Sequence, residues 1–298
     1  MFVKKIIVLF VICLISISAI ADNIILSLDN DVFGTKDTDQ YYTHGTHISV
    51  SKDIDSSWIW IDNILGKVNR KSYSIGQYLY TPTNIATSVL LEEDRRYAGY
   101  LYYGYTLYSE NIKRCNSLQG DIGVIGPSSC AEKTQIEFHK LVDSQEPLGW
   151  DNQIDDRLTL NITYQTRYRL YRYKNYLDTI SLTGVSAGNV VTMANIGGLI
   201  RAGFNIPEGF GTTRLEPVPR KIEKVSIYGI VSGEGRVIGY NAFLEDVNHK
   251  PFVGDFSYGV GISLYQTSLT FLQTFRTKEF DGQVDNSSFG SFVFSYSW

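Results

Sequence analysis

Residues 292–298 read Phe292-Val293-Phe294-Ser295-Tyr296-Ser297-Trp298. An extended strand turns successive side chains to opposite faces, so Phe292, Phe294, Tyr296 and Trp298 form one wholly aromatic face. Upstream, Leu158, Leu160, Ile162, Tyr164, Tyr168 and Leu170 share one face of a second extended segment. Thr159, Asn161, Thr163, Gln165, Arg167 and Arg169 hold the other. In a soluble sandwich the polar side of such a strand meets water; in a transmembrane barrel it lines the lumen and the apolar side meets lipid. One strand does not separate these cases.

Repetition does. Alternating segments recur near 23–29, 43–52, 73–80, 97–109, 118–126, 158–171, 179–189, 194–205, 223–238, 253–266, 268–279 and 289–298. Twelve is an even number, as bacterial single-chain barrels require. The content of 21 Tyr, 15 Phe, 4 Trp and 26 Gly suits aromatic-flanked strands joined by turns. The aromatic last strand resembles the targeting signal of outer-membrane barrels. The expected fold is all-β, a 12-stranded antiparallel transmembrane β-barrel in one domain over 22–298, with a short loop helix.

Residues 1–21 read as a cleaved signal peptide. Lys4 and Lys5 precede an apolar run from Ile6 to Ile17, and Ala19-Ile20-Ala21 supplies the small-x-small cleavage pattern. Cys13 lies inside the apolar run, which argues against a lipoprotein site. Removing Lys4 and Lys5 from a chain of net charge -4, with no Asp or Glu in that stretch, leaves -6. So acidic a chain lacks the electrostatic footprint of a nucleic-acid binder. Beyond the signal, no run of about 18 apolar residues offers a helical span. Cys115 and Cys130, a pair in an exported chain, predict a disulfide.

The stretch 127–156 departs from the alternation. Ser129 and Glu132 have capping-box spacing, and Ala131 to Val142 lacks Gly and Pro, which predicts a helix there. Pro147 and Gly149 follow it. His139 and Gln135 stand four apart, hence on one helix face. An imidazole beside an amide suits a general base that activates water; the spacing also suits a surface histidine. Asp29-Asn30-Asp31 ends the first strand and offers oxygen ligands for a hard cation, or an Asx turn. Asn30 and Asp31 reach one site only if the strand ends or bends there. Thr43, opening the second strand, belongs to the same rim and is expected to approach Asp31. Asp94-Arg95-Arg96 opens the fourth strand at that rim, where an Asp–Arg pair would brace a loop. No G-x-S-x-G or His-Glu-x-x-His motif is present.

Taken in order, Leu28-Asp-Asn-Asp-Val-Phe33, Tyr42-Thr-His-Gly45, Gln77-Tyr-Leu-Tyr-Thr-Pro82, Asp94-Arg-Arg-Tyr-Ala-Gly99, Gly123-Val-Ile-Gly-Pro127, Gln135-Ile-Glu-Phe-His139, Gly149-Trp-Asp-Asn-Gln153, Gly188-Asn189, Arg201-Ala-Gly-Phe-Asn205 and Phe289-Gly-Ser291 resemble the LpxR-type lipid A 3′-O-deacylases. The resemblance runs through residues 23–298. It implies a 12-stranded outer-membrane barrel whose site opens toward the outer leaflet. It also implies Ca2+-dependent hydrolysis of the ester holding the 3′-acyloxyacyl group of lipid A, or lipopolysaccharide. Carried across, the catalytic histidine falls on His139, the asparagine–aspartate pair on Asn30 and Asp31, the threonine on Thr43 and the glutamine on Gln135. A family glutamate aligns with Gln145, and the adjacent Glu146 stands as its substitute metal ligand beside Asp31. Arg96 occupies a position where the family often has proline. The rival readings are a non-enzymatic barrel, a porin or adhesin, and a barrel phospholipase.

Overall fold

A computed structural model describes residues 21–34, 39–55, 59–210 and 225–298. The proposed signal, apart from Ala21, lies outside the described residues. The strands are β1 (Asn23–Asn30), β2 (Tyr41–Asp53), β3 (Arg70–Thr81), β4 (Ala98–Glu110), β5 (Arg114–Ile125), β6 (Arg157–Tyr173), β7 (Leu177–Gly188), β8 (Val191–Phe204), β9 (Ser226–Asn241), β10 (Phe252–Leu264), β11 (Thr267–Arg276) and β12 (Ser287–Ser297). Each pairs antiparallel with the next, and β1 pairs with β12, so the sheet is a closed barrel. The expected fold class and strand count are both met.

Closure gives every strand two hydrogen-bonded neighbours and leaves no edge, the condition for a sheet to stand in hydrocarbon. Period-two chemistry sorts the side chains. On β6, Leu158 is 81% exposed while its neighbour Thr159 is buried. On β1 and β2, Ser27, Asp29, His47, Ser49 and Ser51 turn inward and are buried, while Leu28 and Ile48 are exposed outside.

Side chains crowd the lumen and leave cavities between them. Tyr78, Tyr80, Tyr100, Tyr102 and Phe243 line one of about 180 Å3 in its upper part, and a second of about 190 Å3 lies among Arg167, Glu234 and Asp255. Beside them, at the same rim, Arg276 lies over the Tyr42 and Phe289 rings and donates through Nε and Nη2 to the two Asp255 oxygens at 3.0 Å each. Toward the opposite rim, Asp178 is fully buried and takes a bidentate pair from Arg201 at 2.9 and 2.6 Å. Arg201 also donates to the carbonyls of Pro207 and Gly209, and Arg172 to those of Ile206 and Pro207. These contacts draw 206–209 across the bore, and Phe210 packs on Tyr108, Cys115, Ile180 and Leu199. A buried carboxylate is tolerable only with such partners, since an unpaired charge away from water costs several kcal/mol, roughly.

Two short helices lie between strands: α1 (Ile59–Leu65) at the rim of the chain ends, and α2 (Ala131–Val142) at the opposite rim. The helix expected at 131–142 is there, but the capping box is not. Cys130 is the N-cap, in a left-handed conformation (φ 58) with no side-chain cap bond, and Ser129 Oγ instead donates to the Gly126 carbonyl at 2.6 Å. A three-residue 3-10 turn, Pro127–Ser129, takes up the chain just before the helix and draws Ser129 into its own bonding.

The expected disulfide is overturned. Cys115, buried at the start of β5, and Cys130, exposed beyond the end of that strand, form no disulfide. At about 3.3 Å per residue, β5 holds them more than 30 Å apart, roughly six times the reach of a disulfide. A membrane-permeant maleimide is therefore expected to modify Cys130 but not Cys115 in the folded barrel, mapped by peptide mass spectrometry. Reductant should leave heat-modifiable gel mobility unchanged.

Candidate active site

β1 ends at Asn30, and Asp31–Phe33 form one 3-10 turn. Asn30 caps it, with Oδ1 accepting from the Val32 amide at 2.9 Å. The Asx turn therefore forms, and by ending the strand it frees Asp31 from the alternation that would send it to the face opposite Asn30. Asp31 is buried; Oδ2 accepts from the Gln40 amide at 2.9 Å, and Oδ1 has no partner. Burial, and then the charge of Asp39, push the Asp31 carboxyl well above the usual carboxylate range.

Thr43 sits in a bulge. Tyr42 pairs with Tyr80 and His44 with Leu79, so Thr43 is the extra residue, and its Oγ1 lies 2.7 Å from Thr81 Oγ1. On β3 the odd positions face outward, as the exposure of Tyr73 and Ile75 shows. Leu79 and Thr81 belong to that outer face and yet are buried, Leu79 in a cluster with Ile85, Tyr97, Ala131 and Trp150. The loop 126–156 therefore lies against the outside of the barrel wall, and α2 roofs the site there.

Two features seat the helix. Gly99 presents no Cβ to the loop; one added there would stand 2.1 Å from Ser129 Oγ and 2.3 Å from Ala131 Cβ. Gln77, on the outer wall, donates to the Ser129 carbonyl at 2.7 Å. Ala131, Gln135 and His139, spaced by four, are the buried stripe. Trp150 Nε1 donates to Gln135 Oε1 at 2.9 Å, which fixes the amide and leaves its buried Nε2 without a partner.

His139 is buried between two acceptors. Nδ1 donates to the Gln145 carbonyl in a short contact, and Nε2 lies 3.1 Å from Asp39 Oδ2. A carbonyl only accepts, so Nδ1 carries a proton and Nε2 is the nitrogen open to exchange. The hydrogen bond to Asp39 raises the His139 pKa above its ordinary value; burial opposes this, and the Gln145 carbonyl adds to it.

Asn30, Asp31, Thr43, Gln135 and His139 thus lie at one rim, with Asp39, which no motif of the sequence marks, among them. That residue looks like ordinary loop in Thr38-Asp39-Gln40, yet its side chain is 8% exposed and links His139 to the surroundings of Asp31. Glu146 is exposed and lines a surface pocket of about 250 Å3 with Ile136, His139, Lys140, Asp143 and Ser144. The carboxylate whose charge acts on Asp31 is Asp39. Among the described residues no group of three His, Cys, Asp or Glu side chains converges as a metal cluster. Asp94 braces its loop through backbone amides, accepting from Thr83 at 2.6 Å and Arg95 at 2.8 Å, while the Arg95 guanidinium stacks on Tyr80.

Residues 8–298 match the family model described as outer membrane protein LpxR. The chain belongs to the LpxR family. Among solved structures it is similar to LpxR from Salmonella typhimurium, at 20% identity and a TM-score of 0.77, covering 93% of this chain and 100% of that one. It also matches the KdgM porin at 8% identity and a TM-score of 0.40, covering 93% of this chain and 99% of that one. No curated protein matches it. Family membership and the closed barrel place this LpxR-family chain in the outer membrane.

Because Gly99 is the contact on which α2 rests, Gly99→Val is expected to lift the helix and leave the barrel closed. Trypsin should then cut at Lys133 and Lys140 roughly tenfold faster, the amount that about 1.4 kcal/mol of lost docking gives, while heat-modifiable mobility persists.

Proposed function

We propose that this chain hydrolyses the ester that holds the 3′-acyloxyacyl group of lipid A in the outer leaflet, with His139 as general base. The observation that carries the reading is a buried imidazole, two carboxylates and an oriented, unpartnered amide gathered on the outer wall of a membrane barrel. A lumenal site would serve a solute; an outer-wall site at a rim meets a lipid. With the start of β1 and the end of β12 taken as the periplasmic rim, the opposite rim, where α2 lies, belongs to the outer leaflet.

Ester hydrolysis needs a base for water, donors for the developing oxyanion, and a means of holding the substrate. His139 Nε2 takes the proton from the attacking water, while the Gln145 carbonyl holds the ring by Nδ1. Asp39 lies in the path of that exchange and must yield to the water. Gln135 Nε2 is a donor already stripped of competing partners, and Asn30, with Oδ1 engaged by Val32, presents Nδ2. Thr43 braces the wall through Thr81.

Calcium fits the residues present: Asp31 Oδ1 is a buried orphan beside a second carboxylate, and calcium prefers carboxylate oxygens completed by neutral ones. Asp31 and Asp39 would hold it, with neutral oxygens completing the shell; Glu146, exposed on the 143–146 turn, does not converge with them. When bound, the ion supplies positive charge against the carbonyl oxygen as it gains electron density. The porin reading is weakened by the 206–210 segment held across the lumen. The phospholipase reading uses the same machinery and differs only in substrate.

Lipid A from cells expressing the protein should lose the mass of the 3′-acyloxyacyl group, and His139→Ala should abolish that loss with barrel mobility unchanged. Intact lipid A beside cleaved phospholipid would favour the phospholipase. Chelation by EGTA should suppress the activity and added Ca2+ restore it. A base works deprotonated, so its raised pKa places the rising limb of the pH–rate profile above the ordinary histidine value. Asp39→Asn removes the main raising cause and should move that limb to lower pH.

A further inference from the structure

α2 carries three stripes. Ala131, Gln135 and His139 face the wall, and Lys133, Glu137 and Lys140 form a charged stripe closed by a Lys140–Glu137 pair at 3.2 Å. The third stripe, Phe138, Leu141 and Val142 at i, i+3 and i+4, is apolar and exposed, Leu141 at 82%. Such a face on a 12-residue helix needs a cover. The fold indicates which way it points. His139 turns to the Gln145 carbonyl and to Asp39, both in segments beyond the strand ends. The opposite flank carries Phe138, whose ring lies 6.3 Å from that of His44, a strand residue bonded in turn to Thr46 one step farther down the wall.

The wall below is lipid-facing. Leu26, Ile48, Ile75, Tyr103, Ile122 and Leu160 stand in register around six strands as one outward row. The apolar band continues upward to α2 itself. Gln77, which holds the Ser129 carbonyl, is in register through Leu101 and Val124 with Leu158, which is also exposed. In the one row between, Leu28, Thr46, Gln77, Leu101, Val124 and Leu158, the two polar side chains are engaged, Thr46 by His44 and Gln77 by the Ser129 carbonyl, so the apolar stripe of α2 adjoins the hydrocarbon belt across a single, mostly apolar row. An amphipathic helix with a charged face and an apolar face at that depth lies in the plane of the interface.

We propose that the Phe138, Leu141 and Val142 flank of α2 is seated in the hydrocarbon of the outer leaflet, making the helix an interfacial membrane contact. His139, on the neighbouring face, is thereby held at the depth where acyl chains meet their headgroups. This goes beyond the hydrolytic reading and holds whether or not an ester is cleaved.

The test uses an environment-sensitive nitrobenzoxadiazole label at Leu141→Cys, or at Lys133→Cys on the charged stripe, each with Cys130→Ser; Cys115 is buried. The full barrel is reconstituted in phosphatidylcholine vesicles with and without doxyl-labelled phosphatidylcholine. Expected is a blue-shifted emission at position 141, with doxyl quenching about threefold stronger than at 133. Val142→Cys should repeat the result, and heat-modifiable mobility verifies folding of each variant. Equal, weak quenching at 141, 142 and 133 would place the stripe in water and overturn the proposal. Self-quenching that grows with protein density in plain vesicles would mark the stripe as a contact between copies and overturn it as well. Neither readout depends on lipid A cleavage, so the two readings fail separately.

Discussion

Backbone amides and carbonyls cannot go unpaired in hydrocarbon, and that constraint shapes both the barrel and its site. It forces β1 to close on β12 and gives each strand two partners. A wall built this way turns mostly apolar side chains to the lipid side. Polar groups gathered outside that wall must then come from beyond the strand ends. The chain brings its candidate groups there with a loop folded back over the outer wall, where Leu79 and Thr81 are buried beneath it. Small residues and backbone bonds make the seat, with Gly99 under Ala131 and Gln77 on Ser129.

Within that seat, polar burial is the cost of function. Asp31 Oδ1 and Gln135 Nε2 are buried and unpartnered, each a loss of about 1–3 kcal/mol by usual magnitudes. Groups left in this condition are ready for a ligand. The interaction between His139 and Asp39 joins the two halves, because it ties α2 to the segment that follows β1.

Much of this was legible in the sequence. Alternation gave twelve strands, because lipid outside and polar packing inside leave a period-two record on each. The helix at 131–142 was legible from its freedom from Gly and Pro. Its cap was not, since a left-handed Cys130 has no sequence signature as strong as a Ser–Glu pair. The Cys115–Cys130 pairing failed because compartment and number say nothing of distance, and a whole strand stands between them. Asp31 reached the site through a turn that the Asn30 side chain makes, which was one of two readings open for Asp29-Asn30-Asp31. Asp39 was hidden, because its role comes from a contact with a residue 100 positions later and not from any local pattern.

The central claim is that lipid is handled on the outer wall beneath α2, not in the lumen. A lipid A analogue with a diazirine in its 3′-linked chain, photolysed on the His139→Ala barrel in membranes, tests it directly. Cross-links mapped by mass spectrometry should fall in residues 28–33 and 134–148. Cross-links on lumenal side chains such as Tyr102 or Asp121, or an even scatter around the barrel's lipid face, would contradict the account.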